Sequence, residues 1–237
     1  RVDRGLGFYV FERRYGDAEA HMLQALAEQP KLASAYVHLS MLYISWKRTE
    51  KALGMLQAAR AADALSSGLA LAEILVRFCG RDFVAAEEHG RQVLEVHPHF
   101  PSAIVFYAAS LEALGRYDEA LEQYHLVCML APDMAWHRAL EGACFAKAGK
   151  PKQAQAVLEH LERLRTTDYV DGYHMALFLH ALGRTDDAFA ELERAYRDGC
   201  PTLSLIDVDP KIDALRDDPR FVILRNKLFP DRAAAAS

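Results

Sequence analysis

The stretch from Pro101 to Pro132 reads PSAIVFYAASLEALGRYDEALEQYHLVCMLAP. It opens on a proline well placed as a first helical residue. Gly115 punctuates its middle and Pro132 closes it. The pattern reaches far beyond these residues. Ala18, Ala52, Ala86, Ala120, Ala154 and Ala188 stand 34 residues apart without a slip. A second ladder runs beside the first: Pro30, Ala64, Pro98, Pro132, Thr166 and Cys200. A period of this length is the signature of stacked helix–turn–helix units.

Within the quoted stretch, Tyr107, Ala108, Leu111, Gly115, Tyr117, Ala120, Tyr124, Val127 and Pro132 fall where a tetratricopeptide repeat carries such residues. The chain resembles a tetratricopeptide-repeat protein over residues 1–200. The resemblance implies an all-α fold, a right-handed superhelical solenoid of antiparallel helix pairs. Six repeats are expected, at about 1–32, 33–66, 67–100, 101–134, 135–168 and 169–200. For function it implies a non-catalytic protein–protein interaction scaffold and leaves the partner unnamed.

Composition sets the outer bounds. Of 237 residues 51% are apolar and 26% charged, ordinary proportions for a folded protein. The net charge of −5 speaks against a nucleic-acid footprint. No apolar run approaches the roughly 20 residues of a membrane span, and no secretory signal opens the chain. The expected compartment is therefore the cytoplasm. Arg1 is not a natural initiator, so the chain reads as a fragment. A missing N-terminal part that carried a membrane segment would move this region to the periplasm. Cys79, Cys128, Cys144 and Cys200 form no C-x-x-C pair and read as small core residues in a reducing compartment.

Each repeat has its irregularities. Gly5 and Gly7 weaken the expected first helix, Val2 to Glu12. Tyr36, Leu39, Ser40 and Tyr43 form one stripe in the second repeat, and Thr49 is an expected N-cap for its second helix. In the third repeat, Gly80 sits one residue closer to the N-terminus, relative to Ala86, than Gly115 does to Ala120. A turn longer by one residue is the expectation. Gly90 stands inside a helix where other repeats carry Met22, Leu56 or Tyr124, so either a large neighbour fills the space or the helix is locally weak. Pro151 starts a helix after Gly149. Thr166-Thr167-Asp168 offers capping chemistry before the sixth repeat.

From Pro201 the period breaks. Pro201 to Pro210 reads as a loop, Lys211 to Arg216 as a short helical turn, and Asp218-Pro219 as the cap of a last helix to about Phe229. Phe221, Leu224 and Leu228 share one face of that helix. Residues 201–230 are expected to form a capping segment, its helix docked on the sixth repeat around Phe189, Leu192 and Tyr196. Residues 231–237 are expected to be a disordered tail. Val208-Asp209-Pro210, with Leu215-Arg216-Asp217-Asp218-Pro219-Arg220-Phe221, is similar to the closing segment of bacterial multi-domain signalling and transcription-regulatory proteins. This second resemblance implies the regulatory or sensor region of such a protein.

No catalytic or metal constellation emerges. The ten histidines show no H-E-x-x-H pattern, and no G-x-S-x-G, phosphate-binding loop or G-x-G-x-x-G occurs. Asp207, Asp209, Asp213, Asp217 and Asp218 lack calcium-loop spacing. No cofactor is expected. The first helices do carry a second apolar stripe beyond what pairing needs: Val37, Met41 and Ile44, then Leu71, Leu75 and Phe78. Val105, Trp136, Tyr173 and Leu177 extend it through the later repeats. By the resemblance this stripe lines a concave groove for a partner; the other reading of the same residues is inter-repeat core. The chain's one asparagine is Asn226, so the amide clamps that hold an extended peptide in related repeat proteins cannot be assembled. An amphipathic helix or peptide is the expected partner. An apolar pocket for a small-molecule signal is the alternative.

Overall fold

The computed structural model describes residues 15–229. The expected helix at Val2–Glu12 and the tail 231–237 lie outside them. Among the described residues all regular structure is helical. The α-helices are α1 (Tyr15–Glu28), α2 (Ala33–Ser45), α3 (Thr49–Ala62), α4 (Ser67–Cys79), α5 (Phe83–Val96) and α6 (Pro101–Ala113). They continue with α7 (Tyr117–Leu130), α8 (Ala135–Lys147), α9 (Pro151–Leu164), α10 (Gly172–Ala181), α11 (Thr185–Arg197) and α12 (Pro219–Leu228). Short 3-10 helices at Pro201–Leu205 and Pro210–Leu215 precede α12.

The chain divides into two compact units. One holds the described residues up to Asp82 together with those from Ser204 onward; the other is Phe83–Leu203. In the first, α2 pairs with α3, and α4 packs on both. In the second, α6 pairs with α7, α8 with α9 and α10 with α11, while α8 also packs on α10. In α2 with α4, and in α8 with α10, first helices therefore touch one another.

The alanine ladder is the crossing point of this design. Ala18, Ala52, Ala86, Ala120, Ala154 and Ala188 are all at 0% exposure. A methyl side chain lets two backbones approach closely, and a protein interior leaves no slack there. Gly90 meets the same demand in another way. A Cβ on it would lie 2.9 Å from the Tyr107 side chain. The ring of α6 fills the space that the missing side chain leaves on α5, so this glycine is a site of close packing.

The turns repeat with equal regularity. Lys47, Arg81, Gly115, Gly149 and Gly183 all have positive φ, between 59° and 78°, and they too stand 34 residues apart. Each closes its first helix with the same pair of backbone bonds. In the fourth repeat Gly115 N–H donates to Glu112 O and Arg116 N–H to Leu111 O; in the third Arg81 N–H donates to Phe78 O and Asp82 N–H to Arg77 O. This left-handed termination corrects the longer turn expected at Gly80. Gly80 has φ −75° and is an ordinary right-handed residue. Arg81 takes the left-handed position itself, so the turn keeps its length.

Two caps also differ from expectation. Thr49 is the first residue of α3, preceded by Arg48, which makes no side-chain cap. The cap of α10 is Asp171, whose carboxylate accepts from His174 N–H, in place of Thr166-Thr167-Asp168. At the C-terminus, Asp218 caps α12, and Phe221, Leu224 and Leu228 are buried on the expected face. Residues from Ser204 onward group with α1–α4 in one unit.

Two stability measurements check this account. Ala120→Leu is expected to overpack the α6–α7 crossing and cost about 1–3 kcal/mol in urea denaturation. Lys47→Gly relieves a left-handed lysine and is expected to stabilise by about 0.5–1 kcal/mol, while Gly149→Ala moves the other way by about 1 kcal/mol. Equal effects of the two turn variants would contradict the shared geometry.

Candidate functional site

The second stripe of the first helices is mostly core. Val37, Ile44, Leu75, Phe78, Val105, Tyr173 and Leu177 are buried; Met41, Leu71 and Trp136 are half-buried. The reason lies in the stacking. A first helix contacts its own second helix on one side and the neighbouring first helix on the other, as α2 does with α4 and α8 with α10. Both stripes are thereby covered. The continuous open apolar groove expected from the sequence is not what these residues form.

Polar residues are drawn into the same covered faces. Glu112, buried near the end of α6, accepts from the Tyr124 hydroxyl at 2.8 Å and from Lys147 Nζ at 2.8 Å. Burial disfavours the Lys147 ammonium, but the adjoining Glu112 carboxylate outweighs it and raises its pKa. In the next repeat Glu141 accepts from Arg138 at 2.8 Å and faces His125 Nδ1 at 3.2 Å.

Trp136 is the stripe residue that opens onto a cavity. The crevice holds about 540 Å³ and is lined by Pro132, Asp133, Met134, Ala135, Trp136, Leu164, Asp168, Tyr169 and Asp171. It sits where α8 and α10 begin. Met134 is 50% exposed and Tyr169 62%, large apolar surfaces for turn positions. The Trp136 ring is fixed from behind, its centroid 3.9 Å from that of His137 and 4.9 Å from that of His174. His137 is buried, and burial holds its imidazole down at about 4 and so uncharged at neutral pH; nearby His174 acts in the same direction against a backbone hydrogen bond to Ala131.

Asp171 ties this corner together. It accepts from His174 N–H at 3.0 Å and from Cys200 Sγ–H at 3.1 Å, and lies 3.1 Å from His174 Nδ1. Burial opposes its charge, but the hydrogen bonds and charge of His174, with that of Cys200, hold it at about 2. The Cys200 thiol is pushed up to about 11 by burial and by Asp171, so it is a core thiol and hydrogen-bond donor. The crevice thus offers an aromatic floor, apolar walls, and the carboxylates of Asp133, Asp168 and Asp171. Of these residues the sequence reading named Trp136 alone as a site residue. The missed signal was apolar Met134 and Tyr169 in turns that otherwise carry proline and aspartate.

Among the described residues no three His, Cys, Asp or Glu side chains are placed to hold a metal ion. No helix among them is long and apolar enough to cross a membrane.

No family model matches the sequence, and no curated protein sequence matches it. The fold does have counterparts among solved structures. A tetratricopeptide repeat protein from Parabacteroides merdae superposes with a TM-score of 0.66 at 16% identity, covering 89% of this chain and 82% of that chain. A thermophilic repeat protein of Thermus thermophilus gives a TM-score of 0.58 at 17% identity, covering 83% and 96%. YrrB, described as a repeat protein with an unusual peptide-binding site, gives 0.50 at 16% identity, covering 86% and 97%. At such identities the likeness speaks for architecture, and the architecture of this chain is that of the tetratricopeptide-repeat proteins.

Proposed function

We propose that this chain is a non-catalytic protein-interaction scaffold that docks a peptide segment of a partner at the Trp136 crevice. The single observation that carries the reading is the crevice itself. It pairs exposed apolar walls with carboxylates on a rigid aromatic floor. That chemistry fits an apolar residue next to a lysine or arginine: the apolar side chain covers Met134 and Tyr169, and the cation meets Asp133 and Asp168. Trp136 is pre-organised by its two histidine neighbours, so little side-chain freedom remains to be lost on binding. The peptide-binding site named for YrrB supports the same use of this architecture.

The closing segment's likeness to bacterial signalling and transcription-regulatory proteins supports placing the scaffold in a regulatory or sensor region. The free thiols of Cys79, Cys128, Cys144 and Cys200 suit a reducing compartment, so the proposal extends to the cytoplasm. A small-molecule ligand is the second reading, favoured by a crevice volume of about 540 Å³, within the usual range for such sites.

Selection from a random peptide library displayed on phage tests both. Enrichment of sequences with lysine or arginine beside an apolar residue is expected. Trp136→Ala is expected to weaken the selected peptide tenfold or more, about 1.4 kcal/mol. Asp133→Asn with Asp168→Asn is expected to weaken it several-fold and flatten its salt dependence. Acidic consensus sequences, or binding untouched by Trp136→Ala, would overturn the docking site. A small molecule retained by purified protein in native mass spectrometry, and lost in Trp136→Ala, would decide for the second reading.

A further inference from the structure

Residues 204–229 carry a feature that the Trp136 crevice does not explain. They follow the last repeat in sequence, yet they group with α1–α4. Ile44, Thr49, Cys79 and Gly80 from the ends of those helices line one crevice with Asp207 and Val208 from this segment. Arg81 is the bridge. Its guanidinium donates to Cys79 O at 3.0 Å and to both Asp213 oxygens at 2.7 and 2.9 Å. The left-handed backbone of Arg81 therefore presents a fixed cation to this segment.

The contact has the character of a docked ligand. The segment is organised from within: Asp207 is buried against Arg225 at 2.8 Å, Asp209 and Asp218 cap its helical turns, and the Arg216 guanidinium lies 5.3 Å from the centre of the Phe221 ring. A crevice of about 290 Å³ opens along its junction with the repeats. The Arg81–Asp213 pair there is 44% and 39% exposed. The helix pairs of the repeats, by contrast, meet over alanines at 0% exposure. The ion pair is thus solvated and adds little to the junction, where the segment's hold rests on apolar side chains such as Val208, at 2% exposure.

We propose that residues 204–229 are an intramolecular latch seated on repeats two and three, and that an acidic, apolar peptide of a partner takes its place there. The occupant names the chemistry of its competitor. Val208 lines the junction and Asp213 gives Arg81 its carboxylate, so a competitor needs an apolar residue and a carboxylate, and Arg81 is positioned to take a carboxylate from either source. Ile44, buried at 1% exposure beside this junction, becomes reachable when the latch leaves. This site is independent of the Trp136 crevice, and either proposal can fail alone.

The test uses the full chain with a labelled synthetic peptide of residues 204–229 as probe. Val208→Asp places a charge at a position 2% exposed and is expected to release the segment. Amide exchange should then rise at least tenfold in 204–229 while the amides of α2, α3 and α6–α11 keep their protection. The variant should bind the probe at least tenfold more tightly than the parent chain. Asp213→Ala keeps the apolar contacts and should move both readouts in the same direction, by about two- to fivefold. Adding Arg81→Ala to Val208→Asp should weaken probe binding. Protection lost throughout α1–α4 would mean that the segment is a fixed part of the first unit and would overturn the latch. So would a released segment whose variant ignores the probe, or a segment still protected in Val208→Asp.

Discussion

The whole fold depends on two helices approaching closely at one small residue. The methyl of each ladder alanine is completely covered, from Ala18 to Ala188, as at the crossings of α2 with α3, α6 with α7, α8 with α9 and α10 with α11. A larger side chain there would force off-rotamer neighbours or separate the helices. From Ala52 to Ala188 a left-handed turn residue precedes the alanine by five positions: Lys47 before Ala52, Arg81 before Ala86, Gly115 before Ala120. Turn and crossing are thus locked in phase. The turn sets where the second helix starts, and the alanine sets how closely it returns. Neither can drift by one residue without turning the apolar face of the second helix away from its partner.

This phase lock explains why Arg81 accepts a left-handed backbone next to an available glycine. Gly80 could have taken the position only by shortening the first helix by one residue, which would rotate its stripe by about 100°. The local strain of a left-handed non-glycine residue, about 1–2 kcal/mol, is smaller than the loss of packing along a whole helix. In the third repeat the register of the crossing wins over the preference of the turn. The guanidinium so placed is the one that meets Asp213.

The same physics divides what was legible in the sequence from what was not. The alanine and proline ladders made legible the helices α1 to α11 and the pairing of α2 with α3, α6 with α7, α8 with α9 and α10 with α11, because a spacing that never slips leaves little freedom. The face of α12 was legible through Phe221, Leu224 and Leu228. The fate of the second stripe was not. Val37, Ile44, Leu75 and Phe78 have the spacing of an exposed groove and of an inter-repeat face alike, and amphipathic periodicity cannot tell a partner's helix from a neighbouring repeat. The position of residues 204–229 was illegible for another reason: once the period ends, spacing carries no information about the path of the chain. Trp136 was found, but its companions Met134 and Tyr169 lie in turns, where no periodicity marks an apolar residue as unusual.

Function in this architecture is therefore to be sought where stacking cannot reach. Stacked first helices cover each other's stripes and convert them into core, and polar groups caught there become internal pairs such as Glu112 with Lys147. Such a pair adds little net stability, since desolvation offsets most of the attraction, but it penalises any other register of the two helices. Turns are different, because each one contacts its neighbours only at its edge. A bulky apolar residue in a turn remains partly open, as Met134 and Tyr169 do, and its exposure contributes nothing to folding. Carboxylates nearby have the same freedom, since the helix beginning there already has its cap in Asp171. Side chains not required by the repeat are free to serve other contacts, and Asp133, Met134, Asp168 and Tyr169 are such side chains gathered around Trp136.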